Sequence, residues 1–240
     1  MPVFYLTEEI LFPPVHYAEP SGILAVGGDL SPERLLEAYR RGIFPWFSKH
    51  DPILWWSPDP RFVVYPQNVY ISRSMRQILS RGVFEITFDM AFPDVIEGCS
   101  SLRRDEGTWI TDDMIEAYIR LHELGFAHSV EAWKDGILVG GLYGVSLGAA
   151  FFGESMFTRE SNASKAAFIT LSLNLKNLGF YIIDCQVYTD HLESLGAFEM
   201  PRIEFIKILR EALKKNTLRG NWTDLGLFKK SFSKEELKGK

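Results

Sequence analysis

The stretch FYIIDCQVYTDHLESLGA, residues 180–197, decides how the rest of the chain is read. Residues 180–183 are apolar and β-branched, as in a buried strand. Just upstream, NASKAAFITLSLNLKNLG (162–179) sets Phe168, Leu171, Leu175 and Leu178 on one face of a helix. Before that helix, a turn at Gly148 leads into the apolar segment AAFFGES. Strand, helix and strand in this order make one β-α-β step. Asp135-Gly136 is a hairpin turn inside residues 127–157, so three antiparallel strands run in sequence there. With a strand at 84–90 and helices at 92–101 and 112–125, the expected class is α+β with a mostly antiparallel sheet.

The N-terminal part has a different texture. SPERLLEAYRR (31–41) reads as a helix capped by Ser31, with Pro32 in its first position and Gly42 closing it. Gly27-Gly28 reads as a turn, since no phosphate-loop pattern surrounds it. Residues 42–66 hold five prolines, which argue against helix and central strand, and also Phe44, Trp46, Phe47, Trp55, Trp56, Phe62 and Tyr65. Several of these rings must fill a small core. One or two facing outward would form a stacking platform for a base, and Trp46, between a proline and stiff neighbours, is the candidate. The chain is therefore expected to divide into a small aromatic-rich unit, 1–70, and a larger domain, 71–240.

Composition narrows the class. Apolar residues make up 46% and charged residues 24% of the 240, a globular balance. No apolar run reaches the roughly 18 residues needed to span a bilayer, and no signal-peptide pattern opens the sequence, so a cytoplasmic protein is expected. Cys99 and Cys185 form no C-x-x-C pair and the five histidines show no ligand spacing, so neither metal nor disulfide is expected. The net charge of −5 hides an asymmetry: residues 202–240 carry +6, leaving −11 on the rest. That basic tail, like the group Arg73, Arg76, Arg81, Arg103 and Arg104, is either a solvated face or a surface that tracks phosphates.

The end of the strand at 184–186 is the chemical anomaly. Asp184 and Gln186, two apart on an extended segment, project from the same face, while Cys185 projects from the other. A carboxylate at a dry strand end needs donors. The pair is either a structural tie to a neighbouring loop or part of a site. Glu154, at the end of another strand after Gly153, raises the same question.

The segments GGDLSPERLLEAYRRGIFPWFS, PILWWSPDPR, EGTWIT, LHELGFAHSVE, GGLYGV, FFGESMF and IIDCQV…DHLESLGA, in this order, resemble the leucyl/phenylalanyl-tRNA–protein transferase family, the bacterial aminoacyltransferases of the N-degron pathway. The resemblance covers about residues 10–200 and fades after Arg202. It implies transfer of Leu or Phe, less readily Met, from aminoacyl-tRNA to proteins that begin with Arg or Lys, without a cofactor. It also implies an acetyltransferase-like (GNAT) fold for the C-terminal domain. It places the family's catalytic positions at Asp184, Gln186 and Glu154, its terminal-adenosine platform at Trp46 and Trp109, and its aminoacyl side-chain pocket at Leu142, Phe151, Phe168 and Leu175. Two rival readings stand beside it. One is an acyl-CoA-dependent N-acyltransferase, disfavoured because TRESNASK has no glycine loop for a pyrophosphate. The other is a non-catalytic RNA-binding module in which Asp184 is structural.

Overall fold

The computed structural model describes residues 3–101 and 110–238. The chain opens with β1 (Phe4–Leu6), β2 (Ile23–Gly27), α1 (Pro32–Arg40), β3 (Phe44–Pro45) and β4 (Leu54–Trp56). These strands form a four-stranded sheet in the order β1-β2-β4-β3. α1 forms as its sequence dictates: Ser31 accepts from the Arg34 N–H, proline takes the first turn, and Gly42 turns the chain at φ +72°. Gly27 and Gly28 both have positive φ, so the glycine pair is the exit of a strand as well as a turn.

A second sheet carries the larger part of the fold. Its strands are β5 (Arg61–Val64), β6 (Glu85–Phe88), β7 (Ala127–Lys134), β8 (Ile137–Leu147), β9 (Ala150–Thr158), β10 (Ile182–Gln186) and β11 (Phe198–Met200). The order is β11-β5-β10-β9-β8-β7-β6, and every neighbour is antiparallel except β9 and β10. The class is α+β with a mostly antiparallel sheet, and its one parallel pair is the β-α-β step. The helices are α2 (Arg73–Arg81), α3 (Phe92–Ser101), α4 (Asp112–Glu123), α5 (Ala163–Asn177), α6 (Asp190–Glu193), α7 (Arg202–Ala212) and α8 (Trp222–Leu225).

β5 departs from the sequence reading. It lies inside the larger sheet, between β11 and β10, although the proline-rich segment argued against a central strand. Pro58, Pro60 and Pro66 flank the four strand residues without entering them, so no ladder N–H is lost. The change from one sheet to the other thus falls between Trp56 and Arg61.

Both faces of the larger sheet are covered. One core packs Tyr39, Phe44, Trp55, Tyr118, Tyr143, Phe152 and Phe205 on the side of α1, α3, α4 and α7. The other packs Phe62, Leu142, Phe151, Phe168, Leu171 and Trp222 on the side of α5. Two-sided burial explains why β8 to β10 read as continuous apolar runs. The C-terminal segment closes over the second core. Trp222 stacks between the His128 ring at 3.9 Å and the Phe228 ring at 4.3 Å, and its backbone N–H donates to Asp89 at 2.8 Å.

Candidate active site

The site lies where β9 and β10 part. Their pairing runs through Ile182↔Ala150 and Ile183↔Phe151 and stops at Asp184↔Phe152. Beyond that point β9 continues to Thr158 against β8, while β10 breaks its register with β5 between Asp184 and Gln186. Gln186 stands at φ +66°, a left-handed conformation that ends the strand. A cavity of about 410 Å³ fills the gap.

The cavity wall draws on both cores. Leu142, Phe151, Met156 and Phe168 give it an apolar lining, Phe44 and Trp46 add two rings from β3 and its exit, and Glu154, Gln186 and His191 bring polarity. Gly144 shapes it from behind: a Cβ there would stand 2.6 Å from the Phe151 ring and 2.2 Å from the Phe152 carbonyl oxygen. Trp46 keeps 37% of its surface exposed, its ring 5.4 Å from Trp56, whose indole N–H donates to the Trp46 carbonyl at 2.6 Å. Cys185 also lines the wall, where burial pushes its thiol up, away from the reactive thiolate.

Asp184 is placed behind this wall. It is fully buried and held by Arg61 in a two-pronged pair, Nε to Oδ1 at 2.8 Å and Nη2 to Oδ2 at 2.7 Å. Arg61 is itself fully buried, with its guanidinium between the Phe44 and Phe205 rings at 4.7 and 4.8 Å. The donor that Gln186 gives Asp184 is its backbone N–H, at 2.9 Å, and not its side chain. That bond fixes the left-handed turn and leaves the Gln186 amide to reach Glu154, Nε2 to Oε1 at 2.8 Å. The Gln186 carbonyl oxygen, Oε1, accepts from no described residue.

Glu154 sits at the centre of a buried polar cluster. Tyr39 Oη lies 2.8 Å from its Oε1, Tyr118 Oη lies 2.9 Å from its Oε2, and the two phenol oxygens touch each other. Burial pushes the Glu154 carboxyl up to about 7, with the Asp184 charge in support, against the pull of the Tyr39, Tyr118 and Gln186 hydrogen bonds. Burial and the neighbouring carboxylate hold both phenols well above their ordinary range, so they remain donors.

The structure thus gathers Glu154, Gln186, Trp46, Leu142, Phe151 and Phe168 around one cavity. Leu175 is fully buried in α5 and is not among the lining residues. Trp109, with Arg103 and Arg104, lies outside the described residues. Arg61, Tyr39, Tyr118 and Gly144 were not singled out from the sequence. A signal existed for the tyrosines: each sits on the apolar face of a helix, where a buried phenol requires a polar partner.

Comparison with known proteins identifies the family. The family profile described as leucyl/phenylalanyl-tRNA protein transferase matches residues 63–210, and that of its N-terminal domain matches residues 28–59. The leucyl/phenylalanyl-tRNA–protein transferase of Syntrophus aciditrophicus is 61% identical over 93% of this chain and 94% of its own length. That of Myxococcus xanthus is 56% identical over 93% and 97%. On identity and coverage of this order, the chain belongs to the leucyl/phenylalanyl-tRNA–protein transferase family.

Proposed function

We propose that this protein transfers leucine or phenylalanine, and less readily methionine, from its tRNA to the α-amine of a protein beginning with Arg or Lys, in the cytoplasm where charged tRNA is found. The observation that carries this reading is the single cavity in which an exposed tryptophan, an apolar aromatic wall and the Gln186–Glu154 pair face the same space. Each part suits one part of the substrates. The Trp46 ring suits the terminal adenine, a stacking partner with no sequence demand. Leu142, Phe151, Met156 and Phe168 suit an extended apolar side chain. A pocket of this kind discriminates a methylene group by only ~1–3 kcal/mol, hence the tolerance for methionine.

An aminoacyl ester is already activated, so the task is positioning. A C–N bond forms between the acyl carbon and the α-nitrogen, and the C–O bond to the ribose breaks. The acceptor's ammonium first gives one proton to solvent; the amine nitrogen then loses a second as it attacks and the departing ribose oxygen gains one, with the adjacent ribose hydroxyl covalently placed to relay it. The Gln186 Oε1, without a donor among the described residues, is suited to orient the incoming amine, and the Gln186–Glu154 pair favours a cationic acceptor end. Asp184 enters as a positioning residue: with Arg61 it holds the backbone that aims Gln186. On α2, Arg73, Arg76 and Arg81 are exposed on the surface, suited to phosphates of the tRNA.

The test is to incubate the protein with labelled Leu-, Phe- and Val-tRNA and a peptide beginning with Arg. Label from Leu and Phe, but not Val, is expected on the peptide. Labelling that instead required an acyl-CoA, or tRNA binding without transfer, would replace this reading with one of its rivals.

A further inference from the structure

Three oxygen-bearing groups close a triangle beneath the cavity. Tyr39 Oη meets Glu154 Oε1 at 2.8 Å, Tyr118 Oη meets Glu154 Oε2 at 2.9 Å, and Tyr39 Oη meets Tyr118 Oη. Three contacts between oxygens need three hydrogens, and the two phenols own two. With Glu154 as a carboxylate, both phenol hydrogens point at it, and the two phenol oxygens face each other lone pair to lone pair. With Glu154 as a carboxylic acid, the third hydrogen is present and the ring closes in one sense: carboxyl O–H to Tyr118, Tyr118 O–H to Tyr39, Tyr39 O–H to the other carboxyl oxygen. Gln186 Nε2 then donates to that same Oε1 without conflict.

We propose that Tyr39, Tyr118 and Glu154 form a one-proton lock, closed with Glu154 neutral in the resting protein, and that loss of this proton to solvent supplies the carboxylate that receives the acceptor's α-ammonium. The inference rests on the transferase reading for its second half only. Tyr39 and Tyr118 are positioning residues, since neither lines the cavity while Glu154 does. The three members come from α1, α4 and β9, so the lock also joins the small N-terminal sheet unit, which carries Trp46, to the larger sheet, which carries Gln186.

The surroundings favour the neutral form. Glu154 is 8% exposed. From β10, Asp184 faces it as a charge, balanced from β5 by Arg61, and Gln186 faces it as a neutral donor. From β8, Tyr143 stands beside Tyr118, ring centres 5.5 Å apart. On the cavity wall, Cys185 of β10 is a neutral thiol. No cation contacts the carboxyl among the described residues. Burial therefore dominates and places its ionisation at about 7, within the working range of an enzyme that must admit an ammonium group.

The first experiment needs no substrate. Infrared difference spectra of the intact protein, recorded across pH, report the carboxylic C=O band that Glu154→Gln removes. The glutamine keeps a donor and an acceptor, so it fits the same ring. A band present at pH 6 and lost with a midpoint near 7 is expected. Tyr39→Phe and Tyr118→Phe each open the ring that only the acid form completes and take one donor from the charged form, and they shift the midpoint by about one pH unit. His191→Gln, on the same cavity, leaves it in place. An ionised Glu154 at pH 6, or a midpoint unmoved by both phenylalanine variants, would overturn the lock. If either variant fails to fold, the wild-type band against Glu154→Gln still decides it.

The second experiment follows kcat/KM for an Arg-initiated peptide. Its acidic limb is expected to track the infrared midpoint through wild type and both variants. A limb that stays fixed while the midpoint moves rejects the link to the acceptor. If the midpoints behave as expected but no transfer occurs from any tRNA, the lock stands and the transferase reading falls.

Discussion

Asp184 and Arg61 illustrate how a side chain can govern a site without touching it. Both are fully buried, and each carboxylate oxygen meets a guanidinium nitrogen within 2.8 Å. Removing one charge strands the other in a dry interior, so Asp184→Asn should lower stability by about 3–5 kcal/mol. Arg61→Met with Asp184→Leu should recover much of that loss, because a well-packed apolar pair carries no desolvation cost. Denaturant unfolding of the three proteins measures this directly; a loss under ~1 kcal/mol for Asp184→Asn would mean that the pair is not buried as described. Transfer activity of Asp184→Asn is then interpretable only after correction for the folded fraction. The same scale shows what the sequence could reveal. Spacing alone brought Asp184 and Gln186 into question, because polar residues stand out in an apolar strand. Their partners stayed hidden: Arg61 is 123 residues from Asp184, and nothing local in PDPRFVV signals a buried cation. Gln186 reaches its position through a positive φ, and only glycine advertises that conformation in a sequence.

Among the elements, the strands with strong punctuation were legible and the interrupted ones were not. β7, β8 and β9 follow from Asp135-Gly136 and Gly148, and α5 followed by β10 follows from a clean change of period. β5 was obscured by prolines that flank it, and β3, two residues long, is too short to carry a pattern. Yet β3 and its exit set the rim of the site. Trp46 leaves that strand with its backbone pinned by the Trp56 indole and its ring part-exposed on the cavity. Under the transferase reading, Trp46→Ala removes a stacking surface worth ~1–3 kcal/mol, which raises KM for charged tRNA about 5- to 150-fold. KM for the acceptor peptide should change little, and Trp46→Phe should restore most of the loss. Steady-state kinetics with each substrate varied in turn provides the check. Equal rises in both constants would indicate a collapsed rim, not a lost platform.

At the level of the whole molecule, two buried groups give the folded state opposite responses to pH. Glu154 ionises at about 7 when folded and near its ordinary 4.5 when unfolded. Between those values the folded state holds the extra proton. The stability it contributes is therefore complete below the unfolded value and is lost as pH rises towards 7. His128 behaves the other way. Burial among Trp222 and the second core depresses its folded ionisation, against the pull of Asp89, so protonation favours the unfolded chain and stability falls as pH drops below 6.5. In wild type the two slopes oppose each other below 6.5, and a broad optimum results. Glu154→Gln removes one slope and leaves the other, so the difference in unfolding free energy between the two proteins cancels His128 and every other titrating group. That difference should grow in favour of the variant by roughly 3 kcal/mol from pH 5 to pH 8, levelling above about 7. Both proteins should weaken together on the acid side, where α8 and its Trp222 are released from Asp89 and His128. A difference that stays flat with pH would show that Glu154 is ionised throughout, and would remove the physical basis for a neutral, closed ring joining the N-terminal unit to the larger sheet.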